Sequence, residues 1–404
     1  MLFIAKKGRR VPFSYVNKFG GCASNNCMAI RQSIGVLLIS LSGLKIALAS
    51  DAGTTAASFL KLGIGPRAIA MGNAQVGLAD DVYATYWNPA GLARLETPEV
   101  GFVQNQYLEN ITEQFAGFAY PTSTHGTFGA SLTYLNVGTF PGYDAGGSSI
   151  GNTSANDVAG GLSYAHTLYR DRRMGTEVSL GLTGRMIQER LDTISARVYA
   201  ADAGILLKPS LLAGGLLEGW KAGLAVRNLG TSLQYDTDAY PLPRSLDAGV
   251  SYTGAIFDQN IVFTLDGRQP NDGRQTFGTG LEVTTLKALA LRIGYDTEGD
   301  LGNGLRLGAG LKFKTIEVDY AFAAEGALGN TNYIGLTYRF RQVKPDPVNL
   351  AETVYQKGLK QYRNRRFTEA LVDFNKALEL DPSNPDALRM MKKTYEQIKI
   401  ITPE

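Results

Sequence analysis

From Glu99 to Phe340 apolar and polar residues alternate in short runs separated by Gly, Asp, Asn and Pro. Leu246, Ala248, Val250 and Tyr252 alternate with Asp247, Gly249, Ser251 and Thr253. Leu305, Leu307, Ala309, Leu311 and Phe313 alternate with Arg306, Gly308, Gly310 and Lys312, and Ile334, Leu336, Tyr338 and Phe340 with Tyr333, Gly335, Thr337 and Arg339. A period of two is the pattern of a strand with one apolar face, and no helical period competes with it. The same pattern recurs in Phe128–Tyr134, Val178–Leu182, Ala222–Val226, Leu289–Tyr295 and Ile316–Phe322, and more weakly in Tyr199–Leu207. The region holds about fourteen such segments, of the length that crosses a bilayer when tilted.

Alternation does not say which face meets water, so the polar face decides. It carries Glu177, Arg185, Arg227, Asp247, Asp266, Glu282, Arg292, Arg306, Glu317, Asp319 and Arg339, interspersed with Gly, Ser and Thr. Mixed charges among small residues suit a hydrated or ion-paired lumen, whereas a soluble barrel would show more Lys and Glu on its surface. Tyr120, Tyr134, Tyr252, Tyr295, Phe313 and Tyr338 fall near strand ends, as an aromatic girdle requires. The expected fold is therefore mainly β: an antiparallel transmembrane barrel of about fourteen strands over residues 99–340, with a secreted β-sandwich as the alternative. The last strand ends on Tyr338 and Phe340, where composition changes. It resembles the terminal signal that the barrel-assembly machinery reads in bacterial outer-membrane proteins.

The flanks differ. In residues 1–49, Arg31 precedes an apolar run, Ile34–Leu44, followed by Ala47-Leu48-Ala49, the layout of a signal peptide, with Met28 as a second candidate start. After a linker at 341–349 containing Pro345 and Pro347, the period becomes helical over 350–404. Helices are expected at Ala351–Arg363, Phe367–Leu380 and Pro385–Ile400. Ala351–Pro382 resembles one tetratricopeptide repeat, with Gly358, Ala370, Phe374, Ala377 and Pro382 at the positions that interlock its helices. An even-stranded barrel would put this module in the periplasm, where it could hold a protein partner.

Charge follows the same division. The totals are 40 basic and 37 acidic residues; residues 1–49 hold 7 and 0 of these and residues 341–404 hold 12 and 9, which leaves 21 and 28 between 50 and 340. The central region is thus acidic, and no nucleic-acid surface is expected on it. Cys22 and Cys27, the two cysteines, precede the expected cleavage site after Ala49, so the mature chain carries no thiol chemistry. With only His125 and His166, and no nucleophile motif near either, no catalytic residues, metal site or cofactor are expected.

Residues 50–98 read as neither strand nor long helix. Glycines run through small apolar residues, followed by Asp80-Asp81 and then Trp87-Asn88-Pro89-Ala90-Gly91. Adjacent carboxylates on an extended chain would point apart, which makes turn or cap hydrogen bonding the expected role of Asp80 and Asp81. Asn-Pro favours a turn, and Trp87 beside it offers a rigid anchor. The stretch Phe59–Leu95 resembles the N-terminal motif of the PorV/PorQ outer-membrane family, which is in turn similar to the FadL long-chain fatty-acid transporters. The resemblance implies a fourteen-stranded barrel partly occluded by an N-terminal hatch that includes Asn88, Pro89 and Ala90. It also implies two functions. The first is passage of a hydrophobic small molecule through a non-enzymatic barrel in outer-membrane lipid, with the lumenal charges shaping the path. The alternative is an anchor in a type IX-like secretion system that holds cargo and binds a periplasmic partner through the tail.

Overall fold

The computed structural model describes residues 53–401 except 123, 172–175, 210–218, 236, 257–258, 299–301, 327–328 and 341–346. The expected signal peptide, its cleavage site, Cys22, Cys27 and Met28 lie outside the described residues. So does most of the expected linker.

Fourteen antiparallel strands close into a barrel. The first six are β1 (Glu99–Gln106), β2 (Thr112–Pro121), β3 (Thr127–Tyr143), β4 (Ser149–Asp171), β5 (Thr176–Leu191) and β6 (Ile194–Lys208). After β7 (Trp220–Gly230) the chain forms a small separate hairpin of β8 (Leu233–Tyr235) and β9 (Asp238–Tyr240). The wall resumes with β10 (Ser245–Ile256), β11 (Gln259–Pro270), β12 (Thr276–Thr285), β13 (Leu289–Asp296), β14 (Leu305–Phe313), β15 (Ile316–Ala324) and β16 (Asn330–Arg339). Each barrel strand pairs with its neighbours in sequence, apart from the hairpin between β7 and β10, and β1 pairs with β16 from Glu99↔Arg339 to Gln106↔Asn332. Closure leaves no unpaired edge, the condition for a sheet in hydrocarbon, where no water can satisfy a free N–H or C=O.

The register sorts the side chains cleanly. Leu180, Leu182, Ile205, Leu265, Leu291, Leu307 and Ile334 are exposed on the outer face, while Arg185, Asp247, Asp266, Arg292 and Asp319 are buried on the inner one. A chain that exposes its leucines and buries its arginines has its apolar solvent outside. The wall is uneven in height. β3 to β6 run to between 15 and 23 residues, well beyond the ~9–11 that cross a bilayer. They project at the end opposite the one where the chain enters and leaves, here the far and near ends.

The final strand stops at Arg339, one residue earlier than the sequence pattern suggests. Phe340 lies just past it and donates its backbone N–H to Pro98 O (2.9 Å), with its ring edge-on to Tyr338.

At the C-terminus, helices α1 (Pro347–Arg363), α2 (Phe367–Leu380) and α3 (Pro385–Ile401) follow. The first begins earlier than expected, with Pro347 at its first position, where a missing N–H costs nothing. Ala370, Phe374 and Ala377 are fully buried, and Gly358 faces the Phe374 ring so closely that a Cβ would lie 2.7 Å from it. Pro382 departs from the expected packing: it is exposed in the turn between α2 and α3 and takes no part in the interlock.

Candidate functional site

Residues 53–97 form the hatch and occupy the bore of the barrel. They have little regular structure of their own: a 3₁₀ turn at Ser58–Lys61, helical turns at Pro66–Ala70 and Ala84–Trp87, and a second 3₁₀ stretch at Pro89–Arg94. The Asn-Pro-Ala element has a local cause. Asn88, in an extended conformation, accepts the Ala90 N–H (3.1 Å) as a cap, and Pro89 takes the first helical position. The Asn88 amide then donates to Val76 O within the hatch (3.0 Å) and to Ile205 O on β6 (3.2 Å), so one side chain folds the turn and moors it to the wall.

The mooring needs bare backbone on the wall. Gly181 and Gly204 face the motif across β5 and β6. A Cβ on Gly181 would lie 2.2 Å from Ala90 N, and one on Gly204 would lie 2.0 Å from Asn88 Oδ1. Trp87 is the anchor the sequence suggests: it is wholly buried and donates its indole N–H to Ile64 O (2.8 Å). The Arg227 and Arg268 guanidinium groups each stand 5.5 Å from its ring, and Arg227 also stands 5.0 Å from Tyr86. Between hatch residues Gly72, Asn73 and Val76 and wall residues Asp247, Asp266 and Arg268, the remaining cavity is only about 10 Å3. That is at or below the room one water needs.

Most of the inward charges are engaged, chiefly in ion pairs. Arg185 donates to Asp202 (2.7 Å) and Arg227 to Asp247 (2.6 Å); Asp247 also faces Arg268 at 3.6 Å. Asp266 accepts the Val76 N–H of the hatch (2.6 Å), Arg306 binds Glu325, and Glu177 pairs with Arg170 (3.1 Å) at the near end. A longer network ties hatch to wall. Arg67 donates to Asp80 (2.6 Å) and to both oxygens of Glu282 (2.9 and 3.0 Å). Arg292 bonds Glu282 (2.6 Å) and Asp319 (2.5 Å) and faces Glu317 at 3.5 Å, while Arg339 joins Glu317 to Glu99 (2.8 Å). The Glu99 carboxylate accepts the Val82 N–H of the hatch (3.1 Å).

These positions correct one expectation and part of another. The eleven charged candidates do face inward; most lie at the level of the hatch and form its seat, where they line no open path, while Glu177 lines a polar chamber at the near rim. Asp80 and Asp81 lie in a turn, so Arg67 gathers both: it faces Asp81 at 3.8 Å, while Asp81 also accepts the Tyr83 N–H (3.0 Å) as the expected cap. Burial disfavours the charged form of Asp80, yet Arg67 and then Lys221 hold it down at about 2. Burial and then the Asp80 carboxylate push Asp81 up to about 7, against the pull of Arg67. Arg67, Glu99, Asp202 and Arg268 are members of this seat that the sequence reading omits. Glu99 and Asp202 sit on the same alternation that marks Asp247, and Arg67 stands out as a lone cation in an apolar stretch.

With this geometry in hand, likenesses to other proteins fall into place. A family model described as type IX secretion system protein PorV matches residues 47–262. A UPF0164 protein of Treponema pallidum (strain Nichols) is 25% identical over 347 residues, covering 82% of this chain and 80% of that protein. Among solved structures, the Ralstonia pickettii toluene transporter TbuX is 14% identical with a TM-score of 0.47, covering 69% of this chain and 99% of that one. The CymD monoaromatic hydrocarbon channel is 11% identical with a TM-score of 0.48, covering 69% and 98%. Those scores mark likenesses too loose to carry a substrate across.

Proposed function

Because this chain belongs to the family of type IX secretion system protein PorV, we propose that it is a non-enzymatic outer-membrane component of a protein-secretion assembly. In this reading the barrel is an anchor and scaffold, the far-end projections hold cargo, and the C-terminal helices bind a partner in the periplasm. The observation that supports it is the seated hatch. A bore blocked at mid-height, where the space beside Asp247, Asp266 and Arg268 is about 10 Å3, suits a scaffold better than a conduit. The test is a mild-detergent pull-down from outer membranes with the full chain and with a chain ending at Phe340. A protein that co-purifies only with the full chain is the expected result. The same proteins with both chains would refute the role of the helices.

The second reading is passage of a hydrophobic small molecule, and the observation in its favour is how the hatch is held. The seat is made of ion pairs, hydrogen bonds and short turns, with no ladder joining hatch to wall among the described residues, so it could shift as a unit. Deleting residues 53–97 should then raise permeability to a hydrophobic probe. Unchanged uptake in a folded deletion variant would remove this reading.

A further inference from the structure

Two cavities meet at the near end of β4, and their chemistries are opposite. The first is a groove of about 430 Å3 on the outer wall, lined by Tyr164, Leu168, Leu180, Leu182, Ile205 and Leu224. Its floor is the backbone of Gly181 and Gly204, the two glycines against which the hatch presses from inside. The second is a polar chamber of about 450 Å3 inside the near rim, with Arg94, Thr122, His166, Arg170, Glu177 and Lys208 among its lining residues. His166 lines both cavities. It points outward opposite Leu180, and a β-bulge between Thr167 and Tyr169 breaks the ladder immediately after it.

Three cations, Arg94, Arg170 and Lys208, face two carboxylates, Glu96 and Glu177, in this chamber. Glu177 is engaged by Arg170 at 3.1 Å. Arg94 Nη1 and His166 Nδ1 are shielded from solvent and lack a hydrogen-bond partner among the described residues. Lys208 sits opposite Glu177 across the β5–β6 ladder and forms no ion pair among the described residues. Each cavity falls within the roughly 300–1,000 Å3 of ordinary ligand sites. Together they offer an apolar slot open to the bilayer and, around one side chain, cations with spare donors.

The geometry points to a binding site for one anionic phospholipid at this rim, its acyl chain in the outer-wall groove and its phosphate held by Lys208 and Arg94 beside His166. The head group balances the excess of cations over carboxylates in the chamber, and the chain covers the glycine floor against which the hatch presses. This site would make the hatch's docking strip sensitive to the lipid outside it, because Gly181 and Gly204 have one face on the chain and the other on Asn88, Pro89 and Ala90. The inference rests on the barrel lying in a membrane and holds whether the protein anchors secretion or passes a small molecule.

The test is native mass spectrometry of the full chain in detergent doped with phosphatidylglycerol or phosphatidylcholine, with parallel samples in inorganic phosphate. One retained phosphatidylglycerol per barrel is expected, with no phosphatidylcholine. Lys208→Glu should lower its retention about thirtyfold, since each basic group near an anionic lipid contributes about 1 kcal/mol and reversal counts twice. Leu182→Trp, which fills the groove, should abolish retention, with Leu180→Trp as a second variant if the first fails to show the heat-modifiable mobility of a folded barrel. Equal retention of both lipids, or unchanged retention in Lys208→Glu, overturns the site. Full displacement by inorganic phosphate reduces it to a small-anion site and overturns the lipid.

Discussion

The wall and the hatch are built on opposite principles. Every wall strand finds its backbone partners in two neighbours, so the wall's order is repeated along each ladder, and its apolar face looks outward. The hatch has no ladder. It is held by side chains, among them Arg67, Trp87 and Asn88, and by glycines on the wall that let it come close. The difference teaches that the hatch depends on the wall more than the wall's ladders depend on the hatch. The hatch completes the bonding of some buried wall charges, Glu99, Asp266 and Glu282 among them, and the hatch is ordered because the wall surrounds it.

Removing the central cation of the seat should break this comparison most sharply. Arg67→Met leaves Asp80, Asp81 and Glu282 short of a counter-charge, and breaking such a buried network costs about 3–5 kcal/mol. Amide exchange should accelerate across residues 63–95 while the ladders stay protected; an equal change in both would show that wall and hatch unfold as one. The converse probe is Leu307→Arg on the outer face. A cation at mid-membrane costs about 2–4 kcal/mol on such a face, so insertion yield should fall while the hatch in folded molecules exchanges as before. Gly181→Val is expected to come next, at about 1–3 kcal/mol for overpacking. Its effect should be confined to residues 86–92 in a protease-protection map; cleavage spread along the whole hatch would contradict the local role given to this glycine.

A further effect concerns pH. A carboxyl raised to about 7 in the folded hatch holds more protons than it would in an unfolded chain. The contribution of Asp81 is therefore fully present below about 4 and is lost as pH rises to about 7. Asp80, held at about 2, acts the other way, and its contribution fades as pH falls from about 4 to 2. Asp81→Asn should flatten the loss of hatch protection between pH 4 and 7. A slope as steep as in the parent protein would assign that titration to another group.

How much of this was readable beforehand follows the same division. The barrel was legible because a strand with one wet and one greasy face writes a period of two at each step, and repeated segments reinforce one another. The inward charges were legible from the same alternation, even to the point that Glu99 and Asp202 could have been added. Their use was not, since nothing local to Arg67 announces Glu282, 215 residues away. The cap bonding of Asp81 was legible, but that one guanidinium reaches both Asp80 and Asp81 was not, because adjacent carboxylates point apart only on an extended chain and these two lie in a turn. Pro382 and Phe340 differ by a step at an element's end, where a terminal residue's role depends on contacts that periodicity does not encode. In the tail, Gly358 and Phe374 were legible because a small residue facing a ring is part of the helix-pair pattern itself.

The direction in which the hatch runs sets an order of events. Thr55 bonds Asp272 (2.5 Å) and Ala56 donates to Pro241 O (3.0 Å) at the far end, whereas Pro98 receives the Phe340 N–H at the near end. The segment is therefore threaded along the bore, and a wall zipped shut beforehand would leave it too little space to enter. Closure of the seam between β1 and β16 should thus be the last step of assembly, with the hatch serving as the mandrel on which the cylinder is rolled. Cysteines at Phe102 and Leu336, which face each other across that seam, supply the check. Oxidised before refolding, they should yield barrels whose hatch remains open to protease; a protected hatch in those barrels would show that it can enter a closed one.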